Sequence, residues 1–271
     1  MKKEIKIAFV VLVGFVSLLW FAKPLEEYLS RELFEERIAK KISGIVVKLI
    51  LIALMIGLIR KIRLLDFSGL SRWKEFENKQ AMLIPLAIIG MGIFGNWRAY
   101  LDTDTTFLLL FILSTLAVGV VEEFTFRGLI FPLFIRYFKN LNRPIIISAV
   151  LSSLMFGLLH FINLFSEPEN ISGVTSQVIF ATSIGVFFCG LMLRTKNILI
   201  PCILHALVNF SFGTGELKQS VVEFAEIEEI SGINWSSVLP TMIFFSFIFL
   251  GGVYMILQTD RKSIIRKLEQ G

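Results

Sequence analysis

The sequence is poor in charged residues, which limits the kinds of protein it can encode. Only 18% of its 271 residues are charged and 55% are hydrophobic, whereas soluble domains carry ~25% charged residues. This composition excludes a soluble globular domain and predicts a polytopic membrane protein. The net charge of +5 comes from lysines and arginines near the ends of apolar runs. Nothing in this pattern indicates a nucleic-acid partner.

Cysteine and histidine are scarce, with two of each. Cys189 and Cys202 both fall inside predicted spans, which argues against a disulfide framework and against a cysteine-based zinc site. The sequence also lacks an H-E-x-x-H helix and a glycine-flanked serine elbow. Any histidine chemistry must therefore use His160 and His205.

Eight apolar runs predict transmembrane helices. They cover residues 5–22, 43–59, 81–97, 106–131, 144–165, 175–193, 197–213 and 238–258. If the N-terminus lies inside, the inner segments hold eighteen lysines and arginines and the outer segments seven. The positive-inside rule then places both termini in the cytoplasm. We expect an all-α fold of about eight transmembrane helices.

The same pattern predicts one membrane domain over residues 1–271, with the motif-bearing helices at 106–213. The first apolar run follows lysines, as in a signal peptide, but no small-residue cleavage site ends it. We therefore expect an uncleaved first span. Two outer segments, 25–42 and 221–230, mix charged and apolar residues and predict interfacial helices. The second would fit a solvated loop equally well.

Three polar clusters interrupt the apolar spans, where ionisable side chains usually mark a functional site. The clusters are Glu122-Glu123 with Arg127, Phe156 with His160, and His205 with Asn209. Singly, each has a structural interpretation as a buried ion pair, a packed ring or an interhelical hydrogen bond. Together they favour a hydrolytic centre.

The two glutamates are expected to differ in role. Glu123 and Arg127 are four residues apart on a helix and can form an ion pair. Glu122 points ~100° away from Glu123, so it can face a cavity while its neighbour is held by the arginine. A carboxylate in a low dielectric suits a general base.

Spacing also predicts the depth of the site. Glu122 and His160 each lie 19 residues from Leu141 in the intervening turn, so a helical hairpin would place them at one level. His205 lies nearer to its own turn, which predicts a site closer to the cytoplasmic face. His205 and Asn209 share one helix face and could stabilise an oxyanion.

A metal site is the alternative arrangement of the same residues. Glu122, His160 and His205 would form a set of two histidines and one carboxylate, which can hold zinc and leave a position open for water. Hydrolysis by a glutamate-activated water requires no cofactor. The residues alone do not decide between the two.

The three clusters resemble the motifs of the type II CAAX prenyl endopeptidases and their bacterial relatives, the CPBP or Abi family of intramembrane proteases. The family pattern is E-E-x-x-x-R, F-x-x-x-H and H-x-x-x-N, and all three motifs occur here in order over about 90 residues. The resemblance implies that these helices enclose a conical intramembrane cavity open to the cytoplasmic side. It implies Glu122 as the base, with His160 positioning the water, His205 and Asn209 as the oxyanion site, and Glu123 with Arg127 in support.

The resemblance also implies an integral protein of a bacterial or archaeal cell membrane. Its partners would be membrane lipid and a peptide or lipidated peptide, processed as in CAAX maturation or as a bacterial or bacteriocin-related peptide. Two other functions fit the sequence less well. A non-proteolytic scaffold or immunity protein would not need Glu122 and His160. A proton-coupled transporter would often show an inverted repeat, and none is evident.

Overall fold

A computed structural model describes residues 3–72, 74, 77–165, 167–217 and 233–270, and these residues form helices without any strand. The predicted segment 221–230 lies outside them. The α-helices, numbered in chain order, are α1 (Lys3–Trp20), α2 (Ala22–Glu32), α3 (Glu36–Lys61), α4 (Leu65–Ser68), α5 (Leu83–Gly95), α6 (Trp97–Leu101), α7 (Thr105–Glu123), α8 (Phe131–Phe138), α9 (Pro144–Leu159), α10 (Ile171–Thr195), α11 (Leu199–Phe212), α12 (Trp235–Leu257) and α13 (Arg261–Gln270).

In the part of the chain that the structure describes, six helical segments are long and apolar enough to cross a membrane. Two shorter apolar helices, Lys79–Gly95 and Leu199–Phe212, occupy the positions predicted for the third and seventh spans. An all-α membrane architecture is therefore confirmed, and every predicted span coincides with a helix in the described residues. The count of eight crossings, the side of each terminus and the single-domain assignment stay predictions.

The first outer segment differs from its prediction. The chain breaks for one residue at Phe21 and then continues as α2, which has no buried residue. The predicted segment 25–42 is therefore not one helix, because α2 ends at Glu32 and α3 begins at Glu36. The buried positions of α3 repeat every four residues from Ala39 to Ile59, and all of them except Ser43 are apolar.

Contacts along the helices fix their relative directions. Phe15 of α1 meets Phe126 at a ring distance of 6.2 Å, and Arg136 donates from Nε to the carbonyl of Leu268 at 2.9 Å. The start of α1, the turn between α8 and α9, and α13 therefore gather at one end of the bundle, called the terminal end below. Glu4 of α1 and Glu269 of α13 both lie at this end, where they line one cavity with Lys139.

Helix α7 lies at the centre of the motif region and packs along α3 and α11. Gly128, just beyond it, packs against Ile59 near the C-terminus of α3. Glu122 stands six residues earlier, which is ~9 Å at 1.5 Å per residue. Thr105, at the start of α7, is ~25 Å away by the same measure. The glutamate pair therefore lies nearer to the level of the C-terminus of α3 than to that of the start of α7.

Candidate active site

Helix α7 approaches α11 closely at Gly119. A Cβ atom at this position would lie 2.7 Å from the backbone nitrogen of Ala206 and 2.7 Å from the carbonyl oxygen of Cys202. Real side chains do not tolerate such contacts, so only glycine lets the two helices come this close. One turn further along α7, this approach brings the two glutamates to His205.

Glu123 is fully buried and is held by two donors. Arg127 donates from Nη1 to its Oε1 at 2.9 Å, and the Nδ1 of His205 lies 2.8 Å from the same oxygen. Since a carboxylate only accepts, Nδ1 of His205 carries the proton. The predicted pair of Glu123 and Arg127 is confirmed, and the structure adds His205 as its third member.

The guanidinium of Arg127 lies between aromatic rings. Its Cζ atom is 4.9 Å from the ring centre of Phe156 and 5.9 Å from that of Phe188. Gly185 makes room for it, since a Cβ there would lie 2.8 Å from Nη2 of Arg127. Cation–π contacts of this kind stabilise a buried guanidinium that has only one carboxylate partner.

The segment that carries Arg127 is a π-helical turn, Phe124–Ile130, and all of its residues are buried. The predicted span 106–131 therefore lies within one helical segment, Thr105–Phe138, that includes this π turn. A π turn widens the helix and is frequent at functional sites. The π turn begins directly after Glu123 and contains Arg127. The widened part of the helix therefore carries the arginine that forms the ion pair with this glutamate.

Glu122 has a different environment from its neighbour. Its side chain is 21% exposed, and its Oε2 atom lies 3.4 Å from Nε2 of His205. It lines a cavity of about 190 Å³ together with Phe156, His160 and Trp20 at the end of α1. One glutamate is thus buried in an ion pair and the other faces a cavity, as the ~100° step between them predicts.

His160 lies where α9 ends and a short 3₁₀ turn, His160–Phe165, begins. Its Nδ1 atom is 3.1 Å from the carbonyl of Phe156. An N–H donates to a carbonyl, so this bond leaves Nε2 as the acceptor nitrogen. Glu122 and His160 line one cavity, in agreement with their predicted common depth.

Phe156 packs at the centre of these groups. Its ring meets the ring of His160 at 5.1 Å and that of His205 at 5.9 Å. The sequence predicted a packing residue, and the contacts show that the packed neighbours are both histidines and Arg127. The ring therefore excludes water from one side of the ion pair and fixes the orientation of both imidazoles.

Asn209 follows His205 by one turn of α11 and is partly buried. Within the described part of the chain, its side-chain amide makes no hydrogen bond, whereas its carbonyl accepts from the backbone of Gly213 at 2.8 Å. Its amide is therefore available to a ligand. Its predicted role in oxyanion binding stays a prediction.

The donor atoms of Glu122, His160 and His205 do not converge on one point. In the described ranges, no group of three histidine, cysteine or acidic side chains is placed to hold a metal ion. His205 has a carboxylate next to each ring nitrogen, and Nδ1 of His160 faces a carbonyl. This arrangement does not fit the three-ligand set considered from sequence.

Two residues near the site were missed by the sequence interpretation. Phe188 meets the ring of His205 at 5.7 Å, and nothing distinguishes it in a chain with 27 phenylalanines. Lys48 of α3 is partly buried and has Glu122 as a charged neighbour. A lysine inside the predicted span 43–59 is a signal that could have identified it.

Comparison with known families agrees with the motifs. Residues 104–211 match the family described as type II CAAX prenyl endopeptidase Rce1-like. The matched segment contains all three polar clusters and extends from α7 to α11. Neither the curated proteins nor the solved structures include a significant match to the chain.

Proposed function

From the Rce1-like domain that residues 104–211 form, we propose that this membrane protein is an intramembrane endopeptidase that hydrolyses a peptide bond with a glutamate-activated water. The family implies a protease with a peptide substrate in a membrane environment. The observation that carries the proposed mechanism is the asymmetry of the glutamates. Glu123 is buried and held by two donors, whereas Glu122 lines the cavity and its carboxylate lies 3.4 Å from Nε2 of His205.

Glu122 acts as the general base. A water molecule in the cavity would lie between its carboxylate and Nε2 of His160, which is free to accept because Nδ1 faces the carbonyl of Phe156. Glu122 takes one proton, and the resulting hydroxide adds to the substrate carbonyl. Glu122 then returns the proton to the leaving amine as the C–N bond breaks. Proton transfer by a positioned side chain contributes ~10²–10⁴-fold to such reactions.

His205 and Asn209 stabilise the oxyanion of the tetrahedral intermediate. Glu123 fixes the imidazole of His205 through Nδ1, which directs Nε2 toward the side where Glu122 lies. With His205 protonated, the two carboxylates of Glu122 and Glu123 are balanced by the guanidinium and the imidazolium. The net charge of the site is then zero. Donors fixed in advance, in a site that excludes water, stabilise a developing anion more strongly than water does.

Cleavage near the C-terminus of α3 and the N-terminus of α11 follows from the depth of the site. If the termini are cytoplasmic, the scissile bond lies ~9 Å inside the start of α11 and ~12 Å inside the end of α3. We propose that the substrate is a peptide or a lipidated peptide that enters from this side. CAAX-type processing and the maturation of a bacterial peptide both fit this depth. The proposed location is a bacterial or archaeal cell membrane.

The test is cleavage of a panel of prenylated and unprenylated peptides by the purified protein and by the Glu122→Gln variant. We expect wild-type turnover on at least one class of peptide and a loss of ~10²–10⁴-fold in Glu122→Gln, at an unchanged yield of folded protein. Lys40→Met, on an exposed part of α3, is the control and should behave as wild type. A non-proteolytic scaffold would cleave nothing in either form.

The same preparation tests the metal alternative. We expect activity to survive exhaustive chelation, because the proposed chemistry uses only side chains and water. Loss of activity on chelation with recovery on addition of zinc would replace the mechanism with a three-ligand zinc site at Glu122, His160 and His205.

A further inference from the structure

Asn163 lies exposed at the rim of the cavity that Glu122 and His160 line, and the proposed mechanism does not use it. Among the described residues around this cavity, three side chains carry a hydrogen-bond acceptor, namely Glu122, His160 and Asn163. Glu122 serves as the base, and His160 holds the water. The amide of Asn163 is therefore the acceptor in this lining that has no part in the chemical step.

A contact with α10 fixes the orientation of the Asn163 amide. Its Nδ2 atom donates to Oε1 of Gln177 at 2.9 Å, and within the described part of the chain its Oδ1 atom has no hydrogen-bond partner. Because the amide nitrogen is already bound, the group offers its oxygen, an acceptor with two lone pairs, to a ligand. Asn163 falls within the predicted span 144–165, where an unpaired amide oxygen is unfavourable.

Close packing of α9 against α10 holds this contact in place. A Cβ atom at Gly157 would lie 2.8 Å from the carbonyl oxygen of Val178, so only glycine fits between the two helices. The 3₁₀ turn His160–Phe165 begins three residues later and also packs on α10. Asn163 therefore belongs to a fixed wall of the cavity.

The 3₁₀ geometry places Asn163 beside His160. A 3₁₀-helix has ~3 residues per turn and rises ~2.0 Å per residue, so residues three apart share one face at a separation of ~6 Å along the axis. An extended peptide advances ~3.3 Å per residue, so two of its residues span about the same distance. With the scissile carbonyl at the water between Glu122 and His160, Asn163 is level with the peptide backbone about two residues away.

We propose that Oδ1 of Asn163 accepts a hydrogen bond from a backbone N–H of the bound peptide, about two residues from the cleaved bond. This assignment rests on the proposed function, because it requires the scissile bond to lie at Glu122. It adds a subsite that recognises the main chain of the substrate. An α-helical segment already pairs its own N–H groups, so the subsite favours a segment that is extended beside the cleaved bond.

A purely structural role for Asn163 would be to tie the 3₁₀ turn to α10 through Gln177. The two roles predict different responses to the peptide. Loss of a structural contact slows the cleavage of every peptide by the same factor. Loss of an acceptor for one N–H affects only the peptides that carry this N–H.

The experiment uses a peptide that the wild type cleaves and a set of analogues, in each of which an ester oxygen replaces one backbone N–H. Each replacement removes one donor and leaves the shape of the chain nearly the same. We expect one ester, about two residues from the cleaved bond, to lower kcat/KM of the wild type ~5–100-fold, the range for leaving a buried polar group unpaired.

The variant Asn163→Leu should lose a similar factor on the all-amide peptide and should be insensitive to the ester at this position. The other esters should affect this variant as they affect the wild type. The control Asn140→Leu, at an exposed position in the turn between α8 and α9, should reproduce the wild-type profile. Asn163→Asp keeps an acceptor oxygen and should retain the sensitive position, which decides the matter if Asn163→Leu does not fold.

A wild-type profile without a sensitive position, or a sensitive position that persists in Asn163→Leu, overturns the assignment while the proteolytic function stands. An equal loss on every peptide in Asn163→Leu also overturns it and shows the structural role. Absence of cleavage of every peptide by the wild type would overturn the proposed function and this assignment with it.

Discussion

Removing the charge of Glu123 should destabilise the protein far more than removing that of Glu122. Glu123 is fully buried, and its Oε1 atom accepts from Arg127 at 2.9 Å and from His205 at 2.8 Å. The change Glu123→Ala leaves the guanidinium of Arg127, also fully buried, without its carboxylate. Breaking a buried ion pair in this way costs ~3–5 kcal/mol. At ~2–4 °C per kcal/mol, the expected fall in Tm is ~6–20 °C.

The matched change Glu122→Ala should behave in the opposite manner. Its side chain is 21% exposed and its one charged contact is 3.4 Å long, so Tm should fall by less than ~4 °C, the shift for about 1 kcal/mol. Activity should nevertheless fall by ~10²–10⁴-fold. The double variant Glu123→Ala with Arg127→Met should recover part of the Tm, because replacing both members of a buried pair is often close to neutral.

The assay is thermal unfolding of each purified variant in detergent, followed by cleavage rates normalised to folded protein. Equal Tm losses in the two glutamate variants would refute the asymmetry on which the mechanism depends. Full activity in Glu122→Ala together with complete loss in a folded Glu123→Ala would show that the two roles are exchanged.

Three further predictions concern packing, the oxyanion site and topology. Gly119→Ala should lower Tm and slow cleavage at least ~10-fold, because the added methyl pushes α7 away from α11. Gly90→Ala, which has open space at this position, is the control, and wild-type behaviour of both variants would contradict the close approach. Asn209→Ala should reduce kcat ~10²–10³-fold with little change in KM; a destabilised protein with normal kcat would indicate a structural role. Cysteines at positions 140 and 168 should be labelled from opposite sides of the membrane, and labelling from one side would contradict the assigned topology.

Much of the architecture could be predicted from sequence because hydrophobic runs and local spacing determine it. Each of the eight predicted apolar runs coincides with a helix. The pair of Glu123 and Arg127 also followed from a spacing of four residues. Both results depend on interactions within one helix, where the period of 3.6 residues fixes which side chains can meet.

The contacts between helices could not be predicted in the same way. The bond from His205 to Glu123 joins residues 82 positions apart and depends on the close approach at Gly119. The π turn at Phe124–Ile130 has no sequence signal that separates it from an α-helix. Lys48 was visible in the sequence as a charge inside a span, but its relation to Glu122 depends on the packing of α3 against α7, which the sequence does not show.

The arrangement of charges explains why two adjacent glutamates serve one reaction. With His205 protonated, the carboxylates of Glu122 and Glu123 are balanced by the imidazolium and by Arg127. When Glu122 takes a proton from water, one negative charge leaves its carboxylate and appears on the substrate oxyanion. The total charge of the site stays the same, so no charge has to be created in a low dielectric. The ion pair of Glu123 and Arg127 holds the imidazole of His205 in place during this transfer. Glu123 therefore affects the reaction by positioning His205, although it does not contact the substrate.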